Sequence, residues 1–337
     1  MPTDATADYD VIIIGAGPAG LAAGLYTARD RFRTLMLEKN GLPGGQIMLT
    51  ERIENFPGIE FVSGPDLVNS MVKQCKGFGA EIRTSAEVAR VERIGDKRLK
   101  VTTADGESFA APVVIVGPGS DYRPLGVPGE MEFRGSGVSY CGTCDAPFFR
   151  GRHVVAVGGG NTAVEEVLHL ANFCAKVTMV HRRAEFRAQK VLVEELQSAV
   201  AKEGKIELRL ESAVEAILGA GKVTGVRLKD LKRGQAVDYP CDGVFIFVGM
   251  TPNTGWLRGF LDLDEYGFIK TDPKYMRAMV PGVFVVGDCR TSAPLQLATA
   301  CGDGVVAALM MKKYLKDPDW WVHDLQPAQN GVEPSGW

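Results

Sequence analysis

The chain has 337 residues, more than one small domain holds and suited to two domains of ordinary size. Hydrophobic residues make up 45% and charged residues 23%, which supplies a packed core and excludes wholesale disorder. A net charge of −3 gives the chain no electrostatic match to nucleic acid or to an acidic membrane surface. The first residues, Met1 to Asp4, lack the basic-then-apolar pattern of a secretory signal. The uncharged run Val11 to Ala28 is interrupted by four Gly and one Pro, so no membrane span is expected there. Seven Cys in a chain this long do not make a secreted disulfide scaffold, and a cytoplasmic location is expected.

Val11 to Ile14 is a β-branched run that predicts a strand buried on both faces. A glycine turn follows, containing Gly15, Gly17, Pro18, Ala19 and Gly20, then a helix over Leu21 to Arg29. A second strand, Thr34 to Leu37, ends at Glu38 and Lys39. The same unit returns later. His153 to Val157 predicts a strand, and Gly158, Gly159, Gly160, Asn161, Thr162 and Ala163 make the turn. A helix from Val164 to about Phe173 and a strand over Lys176 to Val180, ending at His181, complete it. Gly15 to Glu38 and Gly158 to His181 both span 23 positions.

In such a unit the first Gly makes the tight turn and the second lets backbone reach a pyrophosphate. The third small residue lets helix pack on strand, and the helix N-terminus faces the anion. Glu38 can accept hydrogen bonds from an adenosine ribose, so the first unit suits FAD or NAD. His181, Arg182, Arg183 and Arg187 stand where the second unit meets the ribose, and cationic forks there favour the 2′-phosphate of NADPH.

Val244 to Gly249 and Gly282 to Asp288 predict buried strand material, with Gly287 and Asp288 placed to meet a cofactor's ribitol or phosphate region. A helix is expected over Ala298 to Leu315. The fold class is therefore α/β, with two Rossmann-like dinucleotide-binding domains, the second inserted into the first. The FAD domain takes residues 1–123 and 248–320, the NADPH domain 124–247, and a tail 321–337. Both crossings, Asp121 to Gly126 and Gly249 to Asn253, contain Pro and Gly, as hinges do.

Cys141 and Cys144, separated by Gly142 and Thr143 and followed by Asp145, lie within disulfide reach of each other. Half of a zinc site is the rival reading, but it needs two further ligands and the sequence has no second Cys-x-x-Cys. Asp145 is either a helix cap or the group that moves the proton in thiol–disulfide exchange.

With these motifs the chain resembles the low-molecular-weight thioredoxin reductases, from about Tyr9 to about Leu315. The matching segments are Gly15–Gly20, Gly44-Gly45-Gln46, Glu54-Asn55-Phe56-Pro57-Gly58, Cys141–Asp145, Gly158–Ala163, His181–Arg187, Pro252-Asn253 and Gly287-Asp288. The resemblance implies that Cys144 faces the flavin, Cys141 attacks the partner disulfide and Asp145 serves as acid and base. Gly44, Gln46 and Asn55 would line FAD, with Gln296 and Leu297. It further implies a homodimer, a thioredoxin or thioredoxin-like partner, and rotation of the inserted domain.

Three departures stand out. Leu295-Gln296-Leu297 replaces the usual Arg-Gln-Ala, Gly117-Pro118-Gly119 replaces Ala-Thr-Gly, and the tail from Asp319 is long and aromatic. The tail is expected to act as a clasp on its own or a partner subunit, or else to place an aromatic ring on a flavin or over the donor site. The leading function is NADPH-dependent disulfide reduction. The alternatives are a related flavoprotein with another donor or direction (ferredoxin, a second flavin, dithiol oxidation) and a redox-sensing binding protein.

Overall fold

Val11, Ile12, Ile13 and Ile14 are all buried, as a β-branched run should be in a parallel strand covered on both faces. A computed structural model describes residues 7–323. The chain divides into one unit of Met1–Asp121 with Thr251–Trp337 and a second of Tyr122–Met250. Among the described residues the α-helices are α1 (Pro18–Arg29), α2 (Gly64–Gly77), α3 (Gly142–Asp145), α4 (Asn161–Ala171), α5 (Lys190–Glu203), α6 (Leu297–Lys316) and α7 (Trp320–His323).

In the first unit, strand Val11–Ile14 lies between Thr34–Leu37 and Val113–Val116, with Glu81–Arg83 and Val283–Val285 at the edges, all parallel. Side chains alternate across this sheet. Val11 and Ile13 join the cluster of Leu21 and Ala23 from α1 and Met311 from α6. Ile12 and Ile14 point the other way, into a cluster with Leu99, Val101 and Phe109. These last belong to a four-stranded sheet, Ala7–Asp8, Ser108–Ala111, Leu99–Thr103 and Val88–Arg93, which the sequence reading did not assign. Burying each Ile contributes about 1.5–3 kcal/mol, so both faces matter to stability. Helices α1 and α6 meet closely because Gly304 carries no Cβ: one there would fall 2.1 Å from the Ala19 carbonyl oxygen.

The second unit repeats the plan. Strands Val138–Ser139, Gly243–Phe247, His153–Gly158, Lys176–Val180 and Ile206–Arg209 form a parallel sheet in that order. Val154 and Ala156 face Val164 and Val167 of α4, while Val155 and Val157 face Val214 and Val226. The latter pair comes from an antiparallel sheet of Ser212–Gly219, Val223–Asp230 and Ala236–Pro240.

Both fingerprint helices start three residues before the sequence places them, at Pro18 and Asn161. The end of each glycine turn is already helical. Pro18 at the first helical position has its φ preset and no N–H to leave unpaired, which favours the early start of α1.

Trp320 and Trp321 are buried in the first unit's core, so these two tail residues form a clasp on their own unit. Trp321 meets Phe284 and Tyr314 edge-on at 5.0 and 5.1 Å. Trp320 meets Tyr275 at 5.3 Å, with the Lys313 ammonium 4.7 Å from its ring centre. The rest of the tail, beyond His323, lies outside the described residues. Among the described residues no helix is long and apolar enough to cross a membrane.

Candidate functional site

The turn after strand Val11–Ile14 packs backbone on backbone. Gly15 has φ +96°, and a Cβ on it would fall 2.2 Å from the Gly117 carbonyl oxygen. A Cβ on Gly20 would fall 2.0 Å from the Gly15 carbonyl oxygen. Gly17 differs: nothing lies within 4 Å of its Cβ position. It is the N-cap of α1, makes no side-chain cap, and no acid occupies the first turn. The unpaired N–H groups of that turn and the helix dipole therefore face open space, which fits an anionic pyrophosphate.

Other predicted residues converge on this turn. The buried Glu38 carboxylate accepts the Ala16 N–H at 2.8 Å on Oε2, and the Asn40 N–H and Nδ2 at 2.9 Å on Oε1. Oε2 keeps a lone pair, so Glu38 both braces the turn and retains acceptor capacity for a ribose. The Gly44 N–H, at φ +124°, donates to the Ala16 carbonyl at 2.8 Å. A Cβ on Gly287 would fall 3.0 Å from that of Ala19. Asn55 Nδ2 lies 3.5 Å from Gln296 Oε1, and Gln46 donates to Asp121. Leu297 begins α6, half-buried, two residues after Leu295, which sits at φ +57°. Lys39 instead makes an exposed ion pair with Glu87 at 2.9 Å.

Sequence reasoning missed the pair that supports Gly287 and Asp288. Arg290 and Asp303 form a buried two-point ion pair, at 2.6 Å from Nε and 2.9 Å from a terminal nitrogen. Asp303 Oδ2 also accepts the Gly287 N–H at 3.0 Å. Burial, and secondarily the Asp303 charge, push the Asp288 carboxyl up to about 6, with Arg290 acting the other way. An Asp amid the small residues of α6 was the available signal, because an apolar helix keeps a buried acid only when something pairs with it.

The second glycine turn follows the same logic. A Cβ on Gly158 would fall 2.5 Å from the Phe247 carbonyl oxygen, while Gly160, the N-cap of α4, has open space. α4 likewise carries no side-chain cap and no acid in its first turn. Asn161 accepts the Gln189 N–H at 2.8 Å, and the Arg187 N–H donates to the Gly159 carbonyl at 2.7 Å. Arg182, Arg183, Arg187 and Thr162 are exposed.

His181 is not exposed. Its buried ring lies under Gly159, 2.2 Å from that residue's Cβ position, and stacks on Phe186 at 5.4 Å. Burial lowers its pKa, so at neutral pH it is an uncharged brace for the turn and leaves the cationic work to the arginines.

Cys141 and Cys144 form a disulfide at the start of α3, in this second unit. The Cys144 N–H donates to Cys141 Sγ at 3.1 Å. Ser139 fixes the entering strand: its hydroxyl donates to the Cys141 carbonyl at 3.2 Å and accepts the Cys141 N–H at 3.1 Å. Burial holds the Asp145 carboxyl above the usual carboxylate range, against a smaller opposing hydrogen bond with Ser139. A carboxyl so held keeps a proton more readily. The other five cysteines contrast with this pair. Burial pushes Cys75, Cys241 and Cys289 up to about 12, and Cys174 and Cys301 to about 11, which suppresses thiolate reactivity. Among the described residues no group of three His, Cys, Asp or Glu is placed to hold a metal ion.

The model of the pyridine nucleotide-disulphide oxidoreductase family matches residues 9–304. A thioredoxin reductase of Listeria monocytogenes is 44% identical over 313 residues, covering 92% of this chain and 94% of that protein. That of Bacillus subtilis is 42% identical over 310 residues, covering 92% and 95%. The crystal structure of thioredoxin reductase from Streptococcus pyogenes superposes with a TM-score of 0.86 at 42% identity, covering 93% of this chain and 99% of that one.

Proposed function

The chain belongs to the pyridine nucleotide-disulphide oxidoreductases, within the thioredoxin reductase family, and on that premise we propose that it carries electrons from NADPH through FAD to the Cys141–Cys144 disulfide and on to thioredoxin or a thioredoxin-like protein. The observation that carries this reading is the Cys141–Cys144 disulfide with a half-buried acid, Asp145, directly after it.

When bound, FAD supplies two-electron transfer between a nicotinamide and a disulfide. The chain's own residues do the rest. Gly15, Gly17, Pro18, Ala19 and Gly20 hold the pyrophosphate of FAD on the uncapped start of α1, and Glu38 takes the ribose. Gly44, Gln46, Asn55, Gly287, Asp288, Gln296 and Leu297 line the remainder of that cofactor. Gly159, Gly160, Asn161 and Thr162 receive the NADPH pyrophosphate. Arg182, Arg183 and Arg187 receive its 2′-phosphate, over a floor made by His181. By the family resemblance Cys144 would exchange electrons with the flavin, and Cys141 would attack the partner disulfide. Asp145 holds and returns the proton that the sulfurs exchange. A homodimer in the cytoplasm is the expected working form.

An anaerobic titration with NADPH tests the reading. The flavin absorption band should be fully bleached by about two equivalents per chain, one for the disulfide and one for the flavin. Bleaching by a dithiol or reduced ferredoxin, but not by NADPH, would assign the second turn to another use.

A further inference from the structure

Glu166 lies on α4, the helix that follows the second glycine turn. Its Oε2 atom is buried and has no hydrogen-bond partner. It lies against Gly142, where a Cβ would come 2.1 Å from it. The Thr143 hydroxyl is 3.4 Å from Oε1. Gly142 and Thr143 are the two residues between the redox cysteines, so this carboxyl grips the loop that spaces the sulfurs. An unpaired buried polar atom is costly to keep, and such atoms call for a functional account.

We propose that Glu166 sets the acidity of the Cys141–Cys144 dithiol in the reduced enzyme through the charge it holds against Gly142. Chain geometry alone keeps Oε2 within about 10 Å of the Cys141 sulfur. A unit charge at that range inside a protein moves a titration by about one pKa unit. Reduction breaks the S–S bond with two electrons and leaves sulfurs that are thiolate or thiol according to the protons available. A carboxylate beside them raises thiol pKa and keeps the first-formed sulfur protonated.

Few other charges compete for this position. Burial holds the Glu166 carboxyl above the usual range; His169 on its own helix and the Thr143 N–H and hydroxyl oppose this, and Glu165 adds to it. From α3 the titratable groups are the two cysteines and Asp145. Strand Gly243–Phe247 contributes only the ring of Phe247 near Gly142. Glu195 and Lys202 of α5 line a groove with Leu168, His169 and Asn172, toward the other end of α4. His153 and Lys176 sit side by side at the first residues of their parallel strands, away from the strand end that leads into α4.

The proposal rests on the dithiol being redox-active and not on which donor or partner it uses, so it can fail independently of the assigned function. The test is the pH profile of Cys141 alkylation by iodoacetamide in the reduced, FAD-loaded enzyme. Glu166→Gln keeps shape and the contact with Thr143 but removes the charge. Its midpoint should fall by about one pH unit, with alkylation below the midpoint about five- to tenfold faster. Glu166→Asp keeps the charge but disturbs the packing, and its midpoint should stay at the wild-type value. A Gln profile superimposable on wild type overturns the proposal. So does an Asp midpoint displaced downward, which assigns Glu166 to packing, and this second result decides the matter even if the Gln enzyme does not fold.

Discussion

The guanidinium of Arg290 grips the carboxylate of Asp303 at two points, 2.6 and 2.9 Å, with both side chains almost wholly buried. The same carboxylate holds the Gly287 N–H, so the pair fixes the turn that presents Asp288. Removing one partner strands the other charge in a dry core, at about 3–5 kcal/mol. Arg290→Met should therefore cost about that much in urea unfolding and release FAD. The double variant Arg290→Met, Asp303→Leu should recover much of the stability. A single variant as stable as wild type would show that the pair does not hold this turn.

Asp288 gives a pH signature. Its folded value of about 6 lies above the unfolded value near 4, because burial and Asp303 disfavour its charge. Between those values the folded chain holds a proton that the unfolded chain has released. Stability is therefore full below the unfolded value and falls as pH rises to 6, by at most about 3 kcal/mol. Asp288→Asn should remove this contribution from the FAD-free protein. Thermal unfolding of both forms between pH 4 and 7 measures it, and parallel curves would refute the assignment.

The two glycines of the first turn should respond in opposite ways. Gly20→Ala drives a methyl to 2.0 Å from the Gly15 carbonyl oxygen, which a backbone atom cannot relieve cheaply. It should abolish soluble, folded protein. Gly17→Ala meets nothing within 4 Å and sits at an ordinary negative φ, so the fold should survive. Its methyl enters the space assigned to the pyrophosphate, and FAD affinity should drop about tenfold or more. Flavin retention after gel filtration distinguishes the cases. Full retention in Gly17→Ala would move the cofactor away from this turn.

Much of this site could be read from the sequence, and the reason is local. Glycine turns, β-branched runs and Cys-x-x-Cys declare themselves within a few residues, so strands Val11–Ile14, Thr34–Leu37 and Lys176–Val180 match their predicted bounds. The smaller sheet of each unit escaped because most of its strands carry charged residues. Val88–Arg93 and Ala236–Pro240 expose many of their residues, and their few inward residues gain meaning only against a partner sheet. His181 illustrates the same limit. A histidine beside two arginines reads as one more cation until the structure shows its ring under Gly159. Glu166 and Asp303 were invisible because burial of a helical acid depends on which tertiary neighbours it meets.

The Trp clasp yields the last prediction. Trp321 is among the largest fully buried side chains of the first unit, and its ring closes the gap between Phe284 and Tyr314. Arg277 donates to its carbonyl at 3.3 Å, which ties α7 to the core. Its indole nitrogen has no hydrogen-bond partner, so the contribution is one of packing and not of polar contact. Trp321→Ala leaves a cavity that α7, a single turn, is too short to fill, and should cost about 3–5 kcal/mol. Trp321→Phe keeps most of the edge-to-face contact and should cost less than half as much. If the ring instead served the flavin, the Ala variant would alter the flavin spectrum at wild-type stability. The clasp reading requires the reverse, an unchanged flavin band in the folded protein and a lowered unfolding midpoint.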